Sequence, residues 1–192
     1  VIGNETHVCG LVAVADGVRS NARETLQELH RLGIETTVML TGDNRGTAEA
    51  IGRETGVSEI RAELLPDEKV AAIQSLVQRY QRVAMVGDGI NDAPALASAS
   101  LGIAMGGAGS DAAIETADVA LLSDDLSRLP WLIRHSRQTL RVIRQNITFS
   151  LAVKAIFVAL TFLGAASLWA AIAADMGAAL LVVANSLRLL RG

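Results

Sequence analysis

Residues 83–96 constrain this chain most. A short apolar run, Val83-Ala84-Met85-Val86, leads into Gly87-Asp88-Gly89-Ile90-Asn91-Asp92 and then Ala93-Pro94. Such a run, bounded by turn residues, predicts a buried strand of a parallel sheet. Open α/β sheets place their chemistry outside the carboxyl ends of these strands. Asp88 and Asp92 fall on that loop, with Asp92 at a predicted helix start. Two carboxylates on one tight loop suit a hard cation such as Mg²⁺, which favours oxygen ligands. Gly87 and Gly89 let the backbone approach a ligand closely. A turn former at Asp88 and a helix cap at Asp92 are the plainer roles. The two glycines together with Asn91 weigh against them.

Charge divides the chain. Residues 1–127 hold 9 Lys/Arg against 19 Asp/Glu, whereas residues 128–192 hold 8 against 1. An acidic body therefore precedes a basic, very apolar tail. Aromatics make up 3% of the chain and no basic patch interleaves with them, which argues against nucleic acid as a partner. Cys9 is the sole cysteine, so an intrachain disulfide is excluded; it reads as a small core residue. The chain opens at Val1 without a signal peptide, which suggests a fragment.

Strands are predicted over 8–15, 34–40, 82–86, 101–105 and 119–122, and helices over 20–32, 46–55 and 67–80. This βαβ rhythm predicts a parallel sheet with helices on both faces. From residue 129 the character changes. Arg134, Arg137, Arg141 and Arg144 share one side of a helix, either as a solvated face or as a stalk touching lipid headgroups. Residues 147–164 and 168–187 are long apolar stretches of bilayer-spanning length, joined by an uncharged turn. Arginines flank both outer ends, so the positive-inside tendency predicts a hairpin with both ends in the cytoplasm. Each stretch carries one charge, Lys154 and Asp175. Charges inside a bilayer are costly and usually have a partner or a function; a structural pair and an ion pathway both fit.

Three further loops accompany Asp88. Thr41-Gly42-Asp43-Asn44 ends an apolar strand and opens a helix, where Thr41 and backbone N–H groups could hold a phosphate. Lys69 follows Pro66-Asp67-Glu68 at another helix start and could neutralise a phosphoryl group. A glycine-rich turn spans 102–111. Singly these signals are weak; order and spacing carry the weight.

Together, Thr41-Gly42-Asp43, Lys69, Gly87-Asp88-Gly89-Ile90-Asn91-Asp92 and the later glycine-rich loop through Asp118 resemble the P-type ATPases, within the haloacid-dehalogenase-like phosphotransferases. The resemblance implies that Asp88 binds catalytic Mg²⁺, with Asn91 and Asp92 supporting the site. It implies that Thr41 and Lys69 contact the phosphoryl group. Asp43, and Asp16 with Arg19, would shape the edge that faces ATP. Lys154 and Asp175-Met176-Gly177 resemble the zinc, cadmium and lead exporters, which implies that Asp175 binds transported Zn²⁺, Cd²⁺ or Pb²⁺ while Lys154 acts at the site without ligating. The paired-serine motif of copper exporters is missing.

The family's nucleophilic aspartate motif does not occur in this sequence. The resemblance therefore implies the carboxyl-terminal part of a pump with an aspartyl-phosphate intermediate. Residues 1–127 would be the second half of the phosphorylation domain, a partial Rossmann-like sheet. Residues 128–146 would be a stalk, 147–187 two transmembrane helices and 188–192 a cytoplasmic tail. The rest of the pump, with its nucleotide-binding and actuator domains, would be the partner. A bacterial plasma membrane is the expected location, with the phosphorylation domain cytoplasmic. Without its central strand the sheet would keep unpaired edges, so the piece alone is expected to fold poorly and to hydrolyse no ATP. Two other readings stand beside this one. One is a membrane-anchored phosphatase with Asp16 as nucleophile; the other is a non-enzymatic membrane module.

Overall fold

The computed structural model describes residues 2–3, 8–10, 17–88, 92–106, 115–164 and 167–191. Asp16, Asn91 and most of the glycine-rich turn lie outside the described residues, as does the side chain of Cys9. The chain divides into two compact units, Val1–Arg128 and Leu129–Gly192.

In the first unit, β1 (Ile2–Gly3) pairs antiparallel with β2 (Val8–Gly10). Then follow α1 (Ala22–Arg31), β3 (Val38–Leu40), α2 (Arg45–Thr55), β4 (Glu59–Arg61), α3 (Pro66–Tyr80), β5 (Ala84–Gly87), α4 (Ala93–Ser98), β6 (Leu101–Met105) and β7 (Val119–Leu121). Local chemistry sets the helix ends. Asn44 caps α2 by accepting from Thr47 N at 2.9 Å, and Gly56 closes it at φ 81°, a left-handed position that suits glycine. Pro66 opens α3, where its missing N–H costs nothing, and Glu68 accepts from Leu65 N at 2.8 Å.

The strands form two parallel ladders among the described residues, β3–β4 and β5–β6–β7. The expectation of a partial parallel sheet holds. The expected strand at 8–15 differs: its described part, Val8–Gly10, pairs antiparallel outside both ladders. Both ladders share one core. Ile73 and Leu76 of α3, Met85 of β5, and Ala95 and Leu96 of α4 are buried together, with Val38 and Leu40 of β3 packed against them. Burying an Ile or Leu side chain contributes about 1.5–3 kcal/mol, so α3 is the element that ties the ladders together. The sequence predicts no strand at β4, because Glu-Ile-Arg reads as polar. Ile60 packs so closely over Gly52 that a Cβ there would sit 2.2 Å from its side chain.

The second unit is a helical hairpin of α5 (Arg128–Phe162) and α6 (Leu168–Leu187), followed by a 3₁₀ turn at Arg188–Arg191. Helix α5 runs unbroken for 35 residues through the expected boundary at 146/147. Its only proline, Pro130, lies in the first turn, where no intrahelical bond is lost. Gly164 stops the chain at φ 70°. Both helices are long and apolar enough to cross a membrane.

Gly102 of β6 packs directly on the end of α4: a Cβ there would meet Leu96 O at 2.9 Å. Backbone cannot yield as a side-chain tip can. Gly102→Ala is expected to destabilise the first unit by about 1–3 kcal/mol, seen as a lower thermal unfolding midpoint. An unchanged midpoint would contradict this packing.

Candidate functional site at the carboxyl ends of β3 and β5

Thr41 follows β3 directly. Its hydroxyl donates to Asp43 Oδ2 at 2.8 Å and accepts from Asp43 N at 3.1 Å, so Asp43 fixes the rotamer of Thr41. The Thr41 backbone is pinned on both sides: Thr41 N donates to Arg61 O at 3.0 Å and Leu64 N donates to Thr41 O at 3.1 Å. Gly42 suits this closeness, because a Cβ would stand 3.3 Å from Leu64 O. The following residue, Leu65, caps α3, and Lys69 N donates to Leu65 O at 3.0 Å. Backbone bonds at the neighbouring residues Leu64 and Leu65 thus link Thr41 to the helix start that carries Lys69.

Lys69 Nζ donates to Asp92 Oδ1 at 2.8 Å, and each side chain is 18% exposed. Asp92 occupies the N-cap position of α4 but makes no side-chain cap bond; its carboxylate goes to Lys69 instead. That disposes of the plainer role for Asp92. Gly87 makes room for this arrangement, since a Cβ there would stand 3.2 Å from Asp92 Oδ2. Asp88 follows on the same turn and is exposed. The pair Asp88 and Asp92 offers oxygen donors only. Among the described residues no group of three or more His, Cys, Asp and Glu could hold a metal alone. Mg²⁺ is commonly held by one or two carboxylates plus phosphate oxygens and waters, so these residues fit it.

Arg19 is engaged elsewhere: its guanidinium pairs with Asp124 at 2.6 Å. Asp16 and Asn91 lie outside the described residues. One contributor is invisible in the sequence. Glu63 holds a left-handed backbone (φ 60°), fixed by Glu63 N donating to Asp43 O at 2.9 Å and by Arg45 N donating to its side chain at 3.3 Å. Glutamate gives no signal for such a position. Asp118 accepts from Gly102 N at 2.8 Å, tying the loop before β7 to β6. In the second unit, Lys154 and Asp175 are both exposed, and no ion pair joins them.

Beside Asp124, Asp125 anchors the segment before α5. It accepts from Ser127 Oγ at 2.7 Å, Ser127 N at 3.0 Å and Asn21 Nδ2 at 2.8 Å. The Ser127 bonds, side chain first, hold its carboxyl below the ordinary value of 3.8, with Arg128 and Asn21 adding to this. A depressed carboxyl stabilises the fold above pH 3.8 and loses that contribution as pH falls through its folded pKa. Ser127→Ala should therefore raise the Asp125 pKa toward 3.8 in a carboxyl NMR titration. An unmoved titration would contradict the assigned cause.

The haloacid dehalogenase-like hydrolase family matches residues 1–100. The cadmium-transporting ATPase of Staphylococcus aureus is 55% identical over 191 residues, covering 100% of this chain and 26% of that protein. The zinc-transporting ATPase of Bacillus subtilis (strain 168) is 47% identical, covering 99% of this chain and 30% of that protein. The crystal structure of a zinc-transporting PIB-type ATPase in its E2.Pi state superimposes with a TM-score of 0.83 at 50% identity, covering 91% of this chain and 28% of that one. The chain thus spans about a quarter of the length of the relatives it matches. The chain belongs to the haloacid dehalogenase-like hydrolase family, and along its whole length it is similar to cadmium- and zinc-transporting ATPases.

Proposed function

We propose that this chain is part of an ATP-driven pump that exports Zn²⁺, Cd²⁺ or Pb²⁺, and that it supplies half of the phosphoryl-transfer site and part of the metal path. One observation carries the reading. A loop cluster suited to phosphoryl chemistry and two apolar helices bearing Lys154 and Asp175 occur in a single chain, alike throughout to cadmium- and zinc-transporting ATPases.

In this reading Asp88 and Asp92 hold Mg²⁺, which when bound offsets charge on the phosphate oxygens. Lys69 swings between Asp92 and a phosphoryl oxygen, and the pair keeps each charge compensated when substrate is absent. Thr41 gives its hydroxyl hydrogen to a second phosphoryl oxygen, with Asp43 holding the rotamer from behind. Asn91 supports the turn, and Asp16 and Arg19 border the ATP side. The rest of the polypeptide brings ATP and the aspartate that takes the phosphoryl group. Residues 1–127 then form part of the phosphorylation domain, 128–146 the stalk, 147–187 the two spans and 188–192 a cytoplasmic tail. Both ends of the hairpin face the cytoplasm of a bacterial plasma membrane. In the spans, the Asp175 carboxylate ligates the cation, and the Lys154 ammonium opposes its retention.

Asp175→Ala in the intact pump should remove zinc- and cadmium-stimulated ATP hydrolysis, and Asp88→Ala should lower turnover by about 100-fold or more. Lys154→Ala should be milder. Unchanged stimulation in Asp175→Ala would take that carboxylate out of the metal path.

A further inference from the structure

The seam between α5 and α6 carries a polar cluster near the open end of the hairpin. Asn146 Nδ2 donates to Ser186 Oγ at 2.9 Å, and Asn185 Nδ2 donates to Asn146 Oδ1 at 2.8 Å. Ser186 donates onward to Val182 O at 3.0 Å, and Arg188 Nη1 donates to Asn185 Oδ1 at 3.3 Å. All three of Asn146, Asn185 and Ser186 are half-buried. Toward the turn the seam is apolar, with Phe149, Val153 and Phe157 of α5 lining one groove with Ala174, Ala178 and Leu181 of α6. Apolar contact is non-directional and leaves rotation of one helix against the other weakly specified. Directional side-chain hydrogen bonds across an apolar helix interface do specify it.

The position of this cluster bears on the two intramembrane charges. Lys154 lies eight residues after Asn146, and Asp175 ten residues before Asn185. At 1.5 Å per residue they stand about 12 and 15 Å from the cluster, within about 3 Å of one level. Each is turned about 80° from its asparagine in its own helix's sense. Because the helices run antiparallel, both rotations lead to the same side of the hairpin. A slip of one residue would turn either charge by about 100° and break that shared side.

We propose that Asn146, Asn185 and Ser186 form a positioning clamp that locks the rotational register of the hairpin, and thereby sets where Asp175 meets a divalent cation and where Lys154 stands relative to it. This rests on the reading of Asp175 as part of the metal path. The asparagines are not themselves ligands beside Asp175: they sit at a different depth, and each uses its amide in the clamp.

The test is the Zn²⁺ dependence of ATP hydrolysis by the intact pump. Asn146→Leu and Asn185→Leu should each raise the half-saturating Zn²⁺ concentration about tenfold, with the maximal rate held within about twofold. The double variant should be no worse than the poorer single, because both break one network. The exchange variant Asn146→Ser with Ser186→Asn should recover half-saturation to within about twofold of the original. Unchanged half-saturation in the single variants, multiplied effects in the double, or an exchange variant that recovers nothing would each overturn the clamp. Should the leucine variants fail to reach the membrane, Ser186→Ala gives the same readout, with a shift of about threefold expected and none overturning the proposal. Asp175→Ala, measured alongside, judges the metal path separately: the clamp is read from non-additivity, the path from loss of stimulation.

Discussion

The ion pair between Lys69 and Asp92 is the constraint on which the first unit depends. Both groups are mostly withdrawn from solvent. A charge so placed is costly without its partner, so the helix that carries Lys69 and the loop that carries Asp92 must arrive at the same point. Helix α3 is held there by Pro66 and Glu68 at its start and by Ile73 and Leu76 in the shared core. The loop is held by β5, whose Gly87 leaves room for the Asp92 carboxylate. Thr41 reaches the same network through backbone bonds to Leu64. In the proposed function, this pair holds a cationic and an acidic side chain together at the place where a phosphoryl group would arrive.

The second unit obeys different physics. Its helices bear large exposed apolar side chains along their length, including Leu151, Ile156, Phe162, Trp169 and Leu180. Such surface is costly in water and suited to a lipid or helical environment. Among its described residues, one cluster of side-chain hydrogen bonds joins the two helices around Asn146 and Asn185. Lys154 and Asp175 stand outside that cluster, exposed and unpaired with each other.

Much of this was legible in the sequence because simple local rules govern it. Strand β6 is legible to the residue, since Leu101–Met105 is an apolar run between turn residues. Helix α3 is legible to within one residue from Pro66 and its acidic first turn. Strand β4 is not legible because only Ile60 signals burial, and its partner is the absence of a side chain at Gly52. The loop order identified Thr41, Lys69 and Asp92 as a set. No periodicity could show that Asp92 bonds Lys69 and leaves its cap position unused, because that pairing spans 23 residues. Likewise Asn146 and Asn185 each look like a lone polar residue in an apolar stretch; only the antiparallel hairpin brings them together, 39 residues apart.

The most direct test of the account is transfer of radiolabelled γ-phosphate from ATP to the intact polypeptide, followed with and without Zn²⁺ or Cd²⁺. A metal-dependent, hydroxylamine-labile label is expected, as an acyl phosphate would give, and it should be lost in Lys69→Ala. A polypeptide that takes up no label with either metal, or that labels equally without Lys69, would contradict it.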